Sequence, residues 1–310
     1  MTITQLLYVL AVSEHKNFTK AAQNCHVTQP TLSMQVQKLE EELNVQIFDR
    51  TKKPIELTNV GKKIVNQAKN IVAEADRIAD IVDQEKGFIG GEFKLGIIPT
   101  VMPTLLPMFL KTYVKRYPKV KLKIEELTTD EIINRLEDGN LDGAIAASPL
   151  NVDNIKERVL YYEPFVGYIS PNHRLKIKTE IETSDLDIND ILILEDGHCF
   201  RQGVLNLCKI KKEQELDNFQ LESGSIEMLV KLVNEGMGMT LLPYLNTLDL
   251  KDNEKENLRF FINPSPAREV SLLYNKNELK IQIIDSIQQI ISGIIRGAIK
   301  FQDVKIISPK

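Results

Sequence analysis

The sequence predicts an α/β protein in three parts. A small helix-turn-helix unit comes first, one long helix follows, and a two-lobed α/β domain takes the rest. Three observations predict it. Apolar residues recur at helical spacing in short runs through residue 58, and a seven-residue apolar repeat continues beyond it. From residue 91 onward, strand-like and helix-like segments alternate. A chain of 310 residues has room for two or three domains. The expected limits are 1–58, 59–90 and 91–310, the last split into lobe I (91–163 and 269–310) and lobe II (164–268).

In the first part, Leu6, Leu7, Val9, Leu10 and Ala11 form one helical face, and Phe18, Ala21, Ala22 and Cys25 a second. Thr28 can cap a third helix, with Pro30 tolerated in its first turn. Leu32, Val36, Leu39 and Leu43 follow at helical spacing. That leaves Gln29, Thr31, Ser33, Gln35 and Lys38 on or near exposed faces, where amides and hydroxyls suit base edges or phosphates in a major groove. Phe48 to Thr58 reads as a small hairpin whose Arg50, Lys52 and Lys53 could meet backbone phosphates, or could form a solvated basic turn. Thr58 can cap the long helix, which runs to about Gly87. Ile64, Ile71 and Ile78, with Ala68, Ala75 and Val82, form a short coiled-coil seam suited to dimerisation or to packing on the helix's own domain. Gly87, Gly90 and Gly91 read as a hinge.

The run Phe18-Thr19-Lys20-Ala21-Ala22 through Thr28-Gln29-Pro30-Thr31-Leu32-Ser33, then Leu39-Glu40 and Phe48-Asp49-Arg50, resembles the signature of LysR-type transcriptional regulators. The resemblance implies a winged helix-turn-helix DNA-binding domain, a dimerising linker helix and a periplasmic-binding-protein-like effector domain. It implies that Gln29, Pro30, Thr31, Ser33 and Gln35 lie near the major groove of double-stranded promoter DNA, with Arg50 at the wing. It also implies a homodimer or tetramer and RNA polymerase as a partner. Met34 stands where many members of the family carry a basic residue.

In the remaining part, Glu92 to Ile98, Val120 to Ile124 and Asp142 to Ala146 read as strands separated by helices over about Thr104 to Arg116 and from Thr129. Strand and helix in this order predict a mostly parallel sheet, with ligands meeting the carboxyl ends of strands. Glu163-Pro164-Phe165 and Asn263 to Arg268 read as the outward and return crossings between lobes. Ile191 to Leu194 and Phe219 to Glu222 read as lobe II strands. Ile281 to Ile299 reads as a last helix returning to lobe I. The family resemblance thus extends over nearly the whole chain.

Two of the three cysteines, Cys199 and Cys208, are nine positions apart. On one helix that separation is about 13 Å, whereas a disulfide needs Cα atoms within roughly 7 Å. The pair is therefore either a switch that changes local fold or two unrelated thiols. Gly197-His198-Cys199 followed by Cys208 is similar to the peroxide-sensing members of the family. That similarity implies that Cys199 reacts with hydrogen peroxide and Cys208 resolves it as a reversible disulfide. It sets Thr100, Thr129, His198 and Arg268 around the peroxide, and it implies a cellular thiol as reductant. The chemistry is sensible: a guanidinium favours a thiolate, and hydroxyls can orient peroxide. The other reading is a small metabolite bound between the lobes, with the cysteines incidental.

Composition narrows the remaining classes. A net charge of −4 argues against coating nucleic acid by bulk attraction and leaves a local basic surface open. The first residues carry no basic segment and apolar core of an export signal, and charges interrupt the apolar runs before they reach a membrane span. A cytoplasmic, reducing setting is the expectation, in which a disulfide would be transient. No complete catalytic triad, Walker loop or dinucleotide fingerprint stands where an enzyme would need it. His198, Cys199 and Cys208 are too few to complete a closed zinc set, so neither metal nor cofactor is expected.

Overall fold

The computed structural model describes residues 1–85, 89–195, 199–208, 225–299 and 304–309. The chain forms two units, Met1–Phe88 and Ile89–Lys310. The expected hinge residue Gly87 and the expected strand at 219–222 lie outside the described residues.

In the first unit, helices α1 (Ile3–His15), α2 (Phe18–Asn24) and α3 (Gln29–Leu43) each begin at a side-chain cap. Thr2 and Gln5 form a capping box, Asn17 accepts from the amides of Thr19 and Lys20, and Thr28 accepts from that of Thr31. A two-stranded hairpin follows, with β1 (Phe48–Asp49) antiparallel to β2 (Glu56–Leu57). Helix α4 (Asn59–Glu85) starts where the Thr58 hydroxyl accepts from the Gly61 amide at 2.9 Å. Val9, Val12, Ala21, Leu32, Val36, Leu39, Ile47 and Phe48 form the core. The heptad residues divide along α4. Ala68 is buried in this core and Ile64 and Ile71 pack on it, whereas Ile78 is 65% exposed. The first half of the seam thus serves its own domain, while Ile78 further along stands exposed.

Gly61 marks a close approach of α4 to the segment before the hairpin. A Cβ there would lie 2.1 Å from the Ile47 carbonyl oxygen. Gly61→Ala must therefore push α4 off the hairpin and should cost about 1–3 kcal/mol. A denaturation midpoint of the first unit that does not move would contradict this packing.

The second unit begins with β3 (Gly91–Ile97), α5 (Met102–Arg116), β4 (Val120–Glu126), α6 (Thr129–Glu137) and β5 (Gly143–Ser148). Thr128, one residue before the expected start, caps α6 and forms a capping box with Glu131. A long strand, β6 (Ile155–Ile169), leads to β7 (Glu180–Ile181), β8 (Ile191–Leu192) and α7 (Cys199–Leu207). Then come α8 (Ile226–Asn234), β9 (Met239–Pro243), α9 (Tyr244–Thr247), α10 (Asp252–Lys255), β10 (Leu258–Phe261), β11 (Ser265–Asn275), α11 (Ile281–Ala298) and β12 (Val304–Ile306).

The sheet is mixed rather than mostly parallel. Strand β3 pairs parallel with β4 and β5, but β11 runs antiparallel to both β5 and β6. Strand β6 then continues as antiparallel partner of β9 and β10. The reason is the route of the chain: it leaves one lobe on β6 and returns on β11, and two strands that travel in opposite senses pair antiparallel. The expected crossing residues meet in this ladder, Ala267 opposite Pro164 and Arg268 opposite Glu163. Each lobe has its own core, one built on Phe93, Leu95, Phe109, Ile145 and Ile287 and the other on Phe165, Tyr168, Leu229 and Leu241. Among the described residues, no helix is long and apolar enough to cross a membrane.

Candidate functional site

Two sets of residues carry the expected chemistry. In the first unit, the amino end of α3 presents Gln29, Pro30 and Thr31 to solvent, and Lys38 is exposed further along. Ser33 and Gln35 are half-buried, and Gln35 accepts from Gln5 at 3.3 Å. In the hairpin, Lys52 pairs with Glu56 and Lys53 is exposed. Arg50 lies 5.1 Å from the Phe18 ring centroid and donates to Glu40 at 2.8 Å. Glu40 is a residue whose job the sequence reading missed. Its buried carboxylate accepts from the amides of Ile47 at 2.7 Å and Phe48 at 3.2 Å. Buried backbone donors need partners, so Glu40 ties the hairpin to α3.

In the second unit, the β6–β11 register sets Arg268 against Glu163. Arg268 Nε and Nη2 donate to Glu163 Oε2 at 2.9 and 2.7 Å. Its Nη1 donates to Thr100 Oγ1 at 2.8 Å, and Nη2 also reaches the Thr100 carbonyl at 3.1 Å. The other Glu163 oxygen accepts from the Leu245 amide at 2.9 Å. Arg268, Glu163 and Thr100 are 3%, 1% and 2% exposed, so this is a desolvated ion pair with its donors aimed at named acceptors. Burial works against the charge on Arg268, but Glu163, then Tyr161 and Cys199, more than offset it and raise its pKa.

Cys199 is the first residue of α7 and packs against the core of one lobe, while Phe200, Val204 and Leu207 of the same helix fill the core of the other. The Phe200 ring lies 5.3 Å from that of Phe165, and the Arg268 guanidinium is 5.4 Å from the Phe200 ring centroid. Arg201 turns to the Leu194 carbonyl at 3.0 Å. The helical ladder reaches Cys208, whose amide donates to the Val204 carbonyl at 3.2 Å. Both thiols are free, and each belongs to a different lobe's surroundings. Burial, then the nearby carboxylates Asp190 and Asp187, push the Cys208 thiol up to about 11. It therefore stays protonated through neutral pH.

The structure thus brings Thr100, Arg268 and Cys199 to one junction and sets Cys208 at the far end of α7. The Thr129 hydroxyl is buried with no partner among the described residues. His198 lies outside the described residues. Glu163 is the buried partner of Arg268 that the sequence did not mark as a site residue; its signal was a carboxylate beside Pro164 at an expected crossing. The carboxyl tail also reaches this region. Strand β12 pairs with Ser265 to Ala267, and Asn206 of α7 donates to the Ser308 carbonyl at 3.1 Å.

Comparison with known proteins agrees with this architecture. Residues 3–62 match the bacterial regulatory helix-turn-helix protein family of lysR type, and residues 86–286 match the LysR substrate binding domain. The DNA-binding transcriptional dual regulator OxyR of Escherichia coli K12 is 33% identical over 274 residues, 88% of this chain and 89% of that protein. A full-length OxyR from Pseudomonas aeruginosa with a cysteine-to-aspartate substitution superposes with a TM-score of 0.75 at 32% identity, covering 94% of this chain and 98% of that one. A peroxide-bound OxyR cysteine-to-serine mutant of Corynebacterium glutamicum gives a TM-score of 0.63 at 26% identity over 96% and 93% of the two chains. With both matched regions in order along one chain, this protein belongs to the LysR family of bacterial regulators.

Proposed function

We propose that this protein is a peroxide-sensing transcriptional regulator. The observation that carries the reading is the place of Cys199 at the lobe junction, packed on one core and followed by Phe200, whose ring lies 5.4 Å from the guanidinium of the buried Arg268–Thr100 pair. A guanidinium beside a thiol favours the thiolate and stabilises charge that develops on the leaving oxygen. Because the Thr100 hydroxyl accepts from Arg268, its own proton is left to point at a ligand. The Cys199 thiolate attacks one peroxide oxygen, the O–O bond breaks, and the sulfur becomes a sulfenic acid. The departing hydroxide takes a proton and leaves as water. Cys208 then attacks the sulfenic sulfur, forming a disulfide and releasing a second water. Thr129 and His198 complete the peroxide pocket in this reading, and a cellular dithiol reverses the bridge.

The sensing domain (91–310) then acts on a DNA-binding domain (1–58) through the linker helix (59–90). Gln29, Pro30, Thr31, Ser33, Gln35, Lys38, Arg50, Lys52 and Lys53 form the surface toward double-stranded DNA. The exposed Ile78 on α4 supports a dimer through that helix, with a tetramer and RNA polymerase as further partners.

Non-reducing peptide mass mapping before and after low-dose hydrogen peroxide tests the switch. A Cys199–Cys208 link is expected in the wild type and its loss in Cys199→Ser. Full oxidation of Cys199 without that link would overturn the pairing, and saturable metabolite binding with no thiol response would favour the other sensor class. On the DNA side, Gln29→Ala or Ser33→Ala should each weaken binding to a cognate promoter by about 1–3 kcal/mol with the oligomer intact. Unchanged binding would remove α3 as the reading helix.

A further inference from the structure

We propose that Glu163 is a positioning residue of the thiol site, holding the Arg268 guanidinium toward Thr100 and tempering the charge it offers to Cys199. The inference rests on the function proposed above and deepens it. An arginine has five N–H donors in a rigid fork. Glu163 Oε2 takes one from Nε and one from Nη2, while Thr100 takes one each from Nη1 and Nη2. Among the described residues, one Nη1 hydrogen is left, on the nitrogen that already holds the Thr100 hydroxyl. Glu163 thereby decides which edge of the fork faces the reacting groups.

Its charge matters as much as its geometry. Arg268 is the cation whose protonation the Cys199 charge supports, and Glu163 is the strongest anion acting on that cation. The thiol therefore faces a neutralised ion pair rather than a bare guanidinium. Among the described residues, the titratable groups that act on Arg268 of β11 are Glu163 and Tyr161 from β6 and Cys199 itself, and the uncharged Thr100 takes its Nη1 at the turn before α5. Arg201, on α7 itself, hydrogen-bonds the Leu194 carbonyl. The remaining Glu163 oxygen is engaged by the Leu245 amide, so the carboxylate cannot swing away from its post without losing that bond. An ordinary structural ion pair would hold the lobes together and leave the thiol's behaviour untouched. A positioning residue would not.

The test is the pH profile of Cys199 alkylation by iodoacetamide in the full-length protein, read by peptide mass mapping. Glu163→Gln keeps the size and an acceptor oxygen and removes the charge. The pH of half-maximal alkylation should fall by about one unit, because an unshared cation favours the thiolate more strongly. Well below that pH, the rate should rise only about threefold, since a less basic thiolate is also a weaker nucleophile. Glu163→Asp retains the charge on a shorter arm and should shift the midpoint in the same direction by less. It serves equally if the glutamine variant does not fold. A midpoint equal to that of the wild type in either folded variant overturns the proposal, even if its melting temperature drops. Iodoacetamide reads the thiol directly. Absence of peroxide oxidation in the wild type would sink the proposed function and leave this result readable on its own.

Discussion

Arg268→Ala is expected to destabilise the second unit by about 3–5 kcal/mol, because removing one partner strands the other charge in a dry interior. Glu163 would keep only the Leu245 amide, and Thr100 would lose donors to both its hydroxyl and its carbonyl. Urea unfolding of the second unit is the measurement, with its midpoint read against wild type. The double variant Glu163→Leu with Arg268→Met should recover much of the loss, since apolar residues of similar volume avoid the cost of burying ions. It should nevertheless leave Cys199 slow toward peroxide. A single Arg268→Ala variant as stable as the wild type would mean that water reaches the pair, contrary to its burial. Equal peroxide reactivity in the double variant would separate the ion pair from the chemistry.

How far such a pair was legible beforehand depends on sequence separation. The cap of α3 was readable because Thr28 acts within three residues of itself. Arg268 could be singled out only through its resemblance to a family motif, and Glu163 stood out only as a neighbour of Pro164. Their bond joins positions 105 apart, which no local pattern encodes. The mixed sheet escaped for a similar reason. Strand β5 is buried at every position, and the second half of β6 nearly so, so neither shows the alternation that would betray its direction or partner. Heptad spacing in α4 correctly marked an apolar face but could not say what covers it. Ile64 and Ile71 turn to their own domain and Ile78 does not. The cysteine spacing raised the question of a switch, and α7 now gives that question its physical terms.

Oxidation to a Cys199–Cys208 bridge is expected to unwind α7. The described helix carries its ladder to Cys208, which sets the two Cα atoms about 13 Å apart, roughly twice the reach of a disulfide. Closing that distance must pull Phe200, Val204 and Leu207 from a core in which they are 3%, 2% and 4% exposed. Each such side chain contributes about 1.5–3 kcal/mol when buried, so the bridge works against a substantial restoring force. Gly203 lowers that force. It sits in the helix interior, where glycine costs about 1 kcal/mol relative to alanine, and an added Cβ would meet the Phe165 ring at 3.3 Å. The tail adds to it through the Asn206–Ser308 hydrogen bond. Hydrogen exchange should therefore show the amides of 200–208 protected in the reduced protein and exposed after peroxide, with the change absent in Cys199→Ser. Deleting residues 304–310 should speed bridge formation by removing the strap while leaving the first oxidation of Cys199 unchanged. A bridged protein whose 200–208 amides keep their protection would show that the thiols meet by some route other than loss of this helix, and the coupling from thiol to lobe packing would have to be sought elsewhere.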